Sequence, residues 1–375
     1  MSGSHHPRTI VHIIDDLGLG GAQRQLVALL KGWPAGDRLH VISLSDAKTA
    51  YAPDLREAGI DLRQVPHYGL WSWSTLTRVR AHLDELRPDI VHTWLFTADL
   101  YGRLAAFGAR TPCVISAIRN TVDDMPWHYR LANRLLAGRT SAFTVNAEAI
   151  RAGLVHAVGM SPDKVHVVHN GIDLAAFPPV TRNGAYQDEW RIPGGSPVVA
   201  MVARFAPQKD HRTFLEAAWQ VSQAMPQAYF VLVGDGPGRI GIEQLVGQLG
   251  LAGRVRLAGA RRDVWQLLHH VDLCVLATHF EGSSNVILEA MAAARPVVAT
   301  DAGGNAELVV PTRTGWLVPP RDADALARAM RDALGDPARA EAMGREGRRR
   351  IEQQYTIQAT VDATDRLYRE LLHVA

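Results

Sequence analysis

The sequence predicts an α/β protein with two doubly wound parallel sheets. Short Val- and Ile-rich runs alternate with amphipathic stretches of about ten or more residues, which is the pattern of repeated strand–helix units. The alternation stops once, at a segment rich in proline, glycine and polar residues, and then resumes. A chain of 375 residues also exceeds the size at which a single hydrophobic core usually forms. We therefore expect two domains.

The first series of runs predicts six strands, at residues 9–14, 40–44, 89–94, 113–118, 142–146 and 165–169. Helix-like segments lie between them, at 22–31, 76–86, 100–108 and 147–158. Strands joined by helices run in the same direction, so these units form a parallel sheet with helices on its faces.

The second series predicts strands at residues 198–204, 229–234, 254–259, 272–277 and 295–300, with helical sequence near 213–224 and from 322 onward. The interruption at 172–196 is typical of an interdomain linker. We expect an N-terminal domain at 1–175 and a C-terminal domain from 176, both Rossmann-like and facing each other across a cleft.

Composition excludes several functional classes. The chain is 47% hydrophobic and 21% charged, with a formal charge of +2, so it resembles an ordinary globular protein without a nucleic-acid-binding tail. Cys113 and Cys274 lie in apolar runs and predict buried thiols instead of a disulfide. No apolar run has the length of a signal peptide's core or of a membrane span. We expect a cytoplasmic protein, and contact with the inner face of a membrane stays open.

A glycine-rich turn follows the first strand, in the stretch DDLGLGGAQRQL. Gly18, Gly20 and Gly21 allow the backbone to approach a ligand where a helix begins, and the free N–H groups of that helix favour an anion such as phosphate. The alternative is a tight turn without a ligand. The spacing is not the GxGxxG of dinucleotide-binding proteins, which argues against a dehydrogenase.

Two cations follow the first strand of the second series, in ARFAPQKDH. Arg204 lies at the strand exit and Lys209 in the loop before a helix, so together they could clamp a diphosphate. The alternative is a solvated loop. The next strand ends in VGDGPGR, where Gly234 would allow close packing against a flat ring.

The segment EGSSNVILEA places two carboxylates around a helix start. Glu281 lies in the loop and Glu289 about two turns into the helix, so they can accept hydrogen bonds from hydroxyls of two parts of one ligand. The N–H groups of Asn285 and Val286 would face a phosphate. Glycoside hydrolysis is a competing use of two acids, and a helix-start acid is the structural alternative for Glu281.

Four polar residues end strands of the first series. His92 comes near the end of a central strand, where it is either a ligand-facing histidine or a satisfied core residue. Arg119 and Asn120 follow the next strand and share the same rim of the sheet. Asn170 begins an Asn-Gly pair, which is first of all a turn signal.

Taken together, these motifs resemble the retaining glycosyltransferases of family 4, which have the GT-B fold. The pieces occur in the family's order and cover most of the chain: GGAQRQL, VHTWLFTADLYGRLAA, HNGID, ARFAPQKD, VGDGP, EGSSNVILEAMAAARPVVATDAGGNAELV and TGWLVPPRDADALA. The element with two glutamates is the most specific of them.

The resemblance implies a nucleotide-sugar donor, with UDP or GDP, held mainly by a C-terminal domain at 176–355. Arg204 and Lys209 would neutralise its diphosphate, Glu281 would bond the transferred sugar, and Glu289 the ribose. Gly20 and Gly21 would approach the phosphates from the N-terminal domain, to which the last helix, 356–375, would return.

The resemblance also implies that His92 lies near the sugar and the acceptor. Many relatives carry a second histidine two positions later, where this chain has Trp94. No residue is placed as a covalent nucleophile and no Asp-x-Asp metal site stands out. We expect same-face substitution with no cofactor and no metal, the cations and helix N-termini stabilising the leaving group.

The acceptor is a carbohydrate, a lipid-linked group or a small molecule. Tryptophans and arginines are interleaved in HYGLWSWSTLTRVRAHL and in DMPWHYRLANRLLAGR, which would suit contact with an anionic bilayer. The alternative, which the sequence favours slightly, is an amphipathic helix with its aromatic face in the core. A sugar-nucleotide 2-epimerase and an inactive nucleotide-sugar-binding subunit remain as competing functions.

Overall fold

The computed structural model describes residues 7–67, 71–122, 125–178, 180 and 183–374. The chain forms two compact units, one comprising Met1–Gly171 with Ile357–Ala375 and the other Ile172–Thr356. We call them the first and the second unit. The second unit thus begins at Ile172, whereas the sequence suggested a boundary at 176.

The first unit contains a seven-stranded sheet with the order β3-β2-β1-β4-β5-β6-β7, in which every neighbouring pair is parallel. Its strands are β1 (Thr9–Ile14), β2 (Arg38–Ser43), β3 (Asp61–Gln64), β4 (Ile90–Trp94), β5 (Cys113–Ile118), β6 (Ala142–Val145) and β7 (Val165–Val167). Its helices are α1 (Gly21–Lys31), α2 (Ala52–Glu57), α3 (Trp73–Leu86), α4 (Phe96–Gly108), α5 (Trp127–Leu136) and α6 (Glu148–Gly153), which continues as a π-helical turn over Leu154–Val158.

The second unit contains a six-stranded parallel sheet with the order β10-β9-β8-β11-β12-β13. Its strands are β8 (Val198–Val202), β9 (Tyr229–Val233), β10 (Val255–Gly259), β11 (Leu273–Leu276), β12 (Val297–Thr300) and β13 (Gly315–Val318). Its helices are α7 (Ala185–Glu189), α8 (His211–Ala224), α9 (Arg239–Gln248), α10 (Val264–Leu268), α11 (Asn285–Ala292), α12 (Asn305–Leu308), α13 (Ala323–Gly335) and α14 (Pro337–Gln354). The predicted α/β class with two parallel sheets is confirmed.

Each sheet has an apolar layer on both faces, because alternate residues of a strand point to opposite sides. In β8, Val198 and Ala200 belong to one buried cluster and Val199 and Met201 to the other. All four side chains are fully buried. A strand covered on both faces reads as a continuous apolar run, which is why the sequence located β8 correctly.

The last helix, α15 (Ile357–Val374), packs on the first unit. Val361 and Tyr368 are buried in the same apolar cluster as the strands of that unit. Asp365 forms an ion pair with Arg8, with 2.5 Å between Oδ1 and Nη2. The helix therefore completes one face of the first sheet.

The segment interpreted as a linker is a structured part of the second unit. Phe177, Trp190 and Ile192 are buried in one of its apolar clusters. Arg256 Nε donates to the carbonyl oxygen of Trp190 at 2.6 Å. The interpretation was wrong because the apolar residues Phe177, Trp190 and Ile192 are widely spaced among polar, proline and glycine residues, so they form no apolar run in the sequence.

Candidate active site

The strand order of the second unit reverses between β8 and β11, and ligands of doubly wound sheets bind at the carboxyl ends of such strands. The loop after β8 carries Arg204 and Lys209, and Asp210 ends it by capping α8. The Asp210 carboxylate accepts from the Thr213 N–H at 3.2 Å and from its hydroxyl at 2.6 Å. Arg204 is exposed, and no described residue forms an ion pair with it.

Lys209 and Glu281 form an ion pair, so the two strand-exit loops meet through their predicted site residues. Their side chains are only 17% and 15% exposed. Two hydrogen bonds connect the loops: the Gln208 side-chain Nε2 donates to the Phe280 carbonyl at 2.8 Å, and the His279 N–H donates to the Gln208 carbonyl at 2.9 Å. A cation and a carboxylate are thereby placed side by side at the switch point.

Two glycines allow neighbouring loops to press against these residues. Gly303 has a φ of 56°, and a Cβ added there would lie 1.9 Å from the Glu281 carbonyl oxygen. Gly234 has a φ of 145°, and a Cβ there would lie 2.0 Å from the carbonyl oxygen of Ala203, the residue before Arg204. No other residue type fits either position without moving the backbone.

Glu289 lies deeper than Glu281, on the helix α11. It is 3% exposed, and its charge together with burial raises the pKa of Cys274 to about 12, burial being the larger cause. Ser284 caps the helix by accepting from the Ile287 N–H at 3.3 Å. Asn285 forms the first turn of the helix with Val286, and both are half-buried. One loop and its helix thus carry a helix start and two carboxylates, Glu281 and Glu289, that can accept hydrogen bonds from hydroxyls at two depths.

The first unit has its own switch point, between β1 and β4. Gly20 is extended and α1 begins at Gly21, so the predicted glycine turn leads directly into a helix. Sequence reasoning missed Asp15, which follows β1 and accepts from the Ala98 N–H at 2.5 Å. Burial raises the pKa of Asp15 to about 6, so this carboxyl can exchange a proton near neutral pH. The signal that could have identified Asp15 is an acidic residue directly after a predicted strand.

His92 is a buried residue of the first sheet. It is 1% exposed, and its ring nitrogens bond to the Tyr368 hydroxyl at 2.6 Å and to the Thr144 hydroxyl at 3.0 Å. Burial, followed by the charges of His12 and Arg119, lowers the pKa of His92 well below its usual value. Both ring nitrogens of His92 therefore have partners within the first unit, as the core-histidine alternative expects, and a position near the sugar stays a prediction.

Three predicted acceptor-side residues lie around the ends of β5 and β7. Arg119 follows β5 directly, and its Nη1 donates to Asn170 Oδ1 at 3.2 Å. Asn170 is buried, whereas Asn120 is exposed. The Arg119 guanidinium carbon lies 4.4 Å from the centroid of the Trp94 ring.

Two family profiles cover the chain in succession. The profile of "Glycosyltransferase Family 4" matches residues 19–176, and that of "Glycosyl transferases group 1" matches residues 183–350. The chain belongs to glycosyltransferase family 4. The predicted resemblance is confirmed, and the protein is a glycosyltransferase.

The glycosyltransferase is similar to several curated enzymes. It is 27% identical to the UDP-Gal:alpha-D-GlcNAc-diphosphoundecaprenol alpha-1,3-galactosyltransferase of Escherichia coli, over 77% of each chain. It is 33% identical to the alpha-D-kanosaminyltransferase of Streptomyces kanamyceticus, over 47% of this chain and 46% of that enzyme. The second alignment thus spans about half of each protein.

The fold of the glycosyltransferase also matches a solved structure, that of HepE from Anabaena in complex with UDP-glucose. The TM-score is 0.88 at 22% identity, over 98% of this chain and 100% of that one. At this identity the likeness shows the fold.

An exposed apolar face distinguishes α5 of the glycosyltransferase. Trp127, Leu131 and Leu135 are 70%, 47% and 72% exposed and recur every four residues, so they lie on one side of the helix. Arg130 and Arg134 are exposed beside them. The prediction that the aromatic face of this helix lies in the core is therefore wrong.

Two further observations concern metals and membranes. Among the described residues, no three His, Cys, Asp or Glu side chains are grouped so that they could hold a metal ion. Within the described part of the chain, no helix combines the length and the apolarity needed to cross a bilayer.

Proposed function

We propose that this glycosyltransferase moves a sugar from a UDP- or GDP-sugar to an acceptor hydroxyl, with retention at the anomeric carbon and without a metal ion, in the synthesis of a polysaccharide or glycoconjugate. The observation that carries the proposal is the pairing of Lys209 with Glu281 at the switch point of the second unit, beside the exposed Arg204. The E. coli relative is named for a UDP-galactose donor and HepE was solved with UDP-glucose, which supports a nucleotide-sugar here.

The proposed chemistry follows from the charges. The bond between the anomeric carbon and the donor phosphate breaks, and both of its electrons go to the diphosphate. Arg204 and Lys209 stabilise this developing charge, as preorganised cations do in other enzymes. Glu281, once Lys209 turns to the diphosphate, accepts hydrogen bonds from hydroxyls of the transferred sugar.

The acceptor oxygen forms its new bond on the face that the diphosphate leaves, so the configuration is retained. The acceptor proton passes to an oxygen of the departing phosphate. Since Arg204 and Lys209 would oppose the diphosphate charge, we propose that no divalent ion is required. Glu289 would hold the ribose from its deeper position.

Donor turnover tests this function directly. UDP or GDP release is measured for a panel of nucleotide-sugars without acceptor, with and without EDTA. Slow release from one donor that EDTA leaves unchanged is the expected result. Loss of release in EDTA would contradict the metal-free mechanism. Binding without nucleotide release would contradict transfer, and an epimerised sugar in the product would then identify a 2-epimerase.

We further propose that α5 docks on the surface of an anionic bilayer, where a lipid-linked acceptor would lie. Its three exposed apolar side chains, Trp127, Leu131 and Leu135, suit the headgroup boundary, and the adjacent Arg130 and Arg134 suit anionic lipids. The E. coli relative is named for a diphosphoundecaprenol-linked acceptor, which supports this setting.

Replacing Trp127, Leu131 and Leu135 together by serine is expected to weaken binding to vesicles rich in phosphatidylglycerol by at least about tenfold, since each side chain loses its apolar burial. Co-sedimentation measures the partition coefficient. The matched control replaces Trp219 and Ile240 of the second unit, which are 44% and 70% exposed, and should leave partitioning unchanged. Equal losses in both variants, or no wild-type binding, would contradict docking through α5.

A further inference from the structure

The ion pair between Lys209 and Glu281 is largely shielded from solvent. The two side chains are only 17% and 15% exposed, so their charges attract each other more strongly than those of an exposed pair. The pair of Arg212 with Glu216 in α8 provides the contrast, because its side chains are 70% and 41% exposed. The positive charge of Lys209 is therefore compensated by Glu281 in this structure.

The loops that carry the pair are held together, so the carboxylate separates from the ammonium group by side-chain rotation. A Cβ at Gly303 would lie 1.9 Å from the Glu281 carbonyl oxygen, which shows how closely the neighbouring loop packs on this backbone. The Thr278 hydroxyl donates to the Gln208 carbonyl at 3.0 Å and so connects the loop of Glu281 to that of Lys209. The two charges therefore stay within reach of each other when their side chains rotate.

A diphosphate that reaches Lys209 meets the Glu281 carboxylate. Two anions on one ammonium group repel each other, most strongly where water is largely excluded. Binding therefore requires the ion pair to open, and the apparent affinity falls with the fraction of molecules in which Lys209 is available. A pair that is closed in about nine of ten molecules weakens binding about tenfold. Arg204 does not carry this cost, since it is exposed and no described residue forms an ion pair with it.

We propose that Glu281 is a specificity-determining residue, which weakens the binding of a free nucleoside diphosphate, the product of the reaction, by competing with it for Lys209. The inference rests on the proposed function and adds discrimination between donor and product. A nucleotide-sugar brings hydroxyls that donate to the Glu281 carboxylate once Lys209 has turned to the diphosphate. A nucleoside diphosphate lacks the transferred sugar and leaves Glu281 without these donors. When the sugar leaves, Glu281 recaptures Lys209, and release of the nucleoside diphosphate is favoured.

A double-mutant cycle of nucleotide affinity tests this role. Isothermal titration calorimetry measures the Kd of UDP and of GDP for the wild type, Glu281→Gln, Lys209→Gln and the double variant. Glu281→Gln is expected to bind the nucleotide that the wild type binds at least about fivefold more tightly, because Lys209 is then always available. In the Lys209→Gln background, the same change is expected to alter the Kd by less than about twofold.

Glu216→Gln is the matched control, since it removes a carboxylate from the exposed ion pair with Arg212 and should leave the Kd unchanged. An unchanged or weaker affinity in Glu281→Gln overturns the inference. An equal gain in the Lys209→Gln background, or in Glu216→Gln, also overturns it, because the carboxylate then acts by general repulsion and not through Lys209. The Tm of each variant is measured, and Glu281→Ala takes the place of Glu281→Gln in the cycle should the latter not fold.

Failure here is separable from failure of the proposed function. Nucleotide release from a nucleotide-sugar reports the chemistry of the donor, whereas the cycle reports the affinity for the product. A wild type that releases nucleotide while Glu281→Gln gains no affinity refutes only this role of Glu281. A protein that binds neither UDP nor GDP and releases neither from any donor refutes the proposed function itself.

Discussion

Replacing Lys209 with alanine is expected to lower donor turnover by about 10²–10³-fold while the fold stays intact. The substitution removes a preorganised cation from the developing diphosphate charge, and it also leaves Glu281 without its partner. The Glu281 side chain is 15% exposed, so water can reach its carboxylate once Lys209 is removed, and we expect the variant to fold with a lowered Tm. Turnover is measured as nucleotide release, and folding by circular dichroism and Tm.

Two companion variants sharpen this prediction. Arg212→Ala removes a cation three residues later whose side chain is 70% exposed and pairs with Glu216, so turnover should be unchanged. Lys209→Arg keeps the charge and should restore part of the activity. Wild-type turnover in Lys209→Ala would refute the diphosphate role of Lys209. A similar decrease in Arg212→Ala would show a general electrostatic effect.

The second large effect is expected from Gly303→Ala. A Cβ at Gly303 would lie 1.9 Å from the Glu281 carbonyl oxygen, and the φ of 56° is unfavourable for alanine. The backbone must shift, which is expected to lower the free energy of unfolding by about 2–4 kcal/mol. That corresponds to a Tm lower by about 5–15 °C for a unit of this size. Turnover should fall by about 10²-fold, because displacement of a positioning group has effects of this order.

Gly250→Ala separates backbone strain from displacement of the site. Gly250 has a φ of 68°, but a Cβ there meets nothing within 4 Å. We expect Gly250→Ala to lower the free energy of unfolding by about 1–2 kcal/mol and to leave turnover unchanged. If Gly303→Ala behaved like Gly250→Ala in calorimetry and in the nucleotide-release assay, the close contact with Glu281 would not matter for activity.

Much of the fold could be predicted because the central strands are covered on both faces. The runs at 9–14 and 113–118 coincide with β1 and β5. β3 (Asp61–Gln64) escaped notice because this edge strand has no fully buried residue and reads DLRQ, without an apolar run. β13 (Gly315–Val318), which is also an edge strand, was likewise not predicted.

The candidate site could be predicted only as separate pieces. Arg204, Lys209 and Glu281 were found because strand exits in such sheets carry ligand groups. Nothing in the spacing showed that Lys209 and Glu281 touch, since 72 residues separate them. Sequence periodicity likewise could not show that Trp127 and Leu135 point to solvent, because an apolar stripe looks the same whether or not another element covers it.

The sequence by itself determined the alternation of strands and helices, the family and the residue types at the strand exits, because these depend on local patterns. Tertiary structure alone decided that both ring nitrogens of His92 have hydrogen-bond partners and that Arg119 lacks a charged partner among the described residues. Burial and hydrogen-bond partners arise from contacts between distant segments such as β4 and α15. A side chain's chemistry is therefore set by neighbours that its local sequence does not contain.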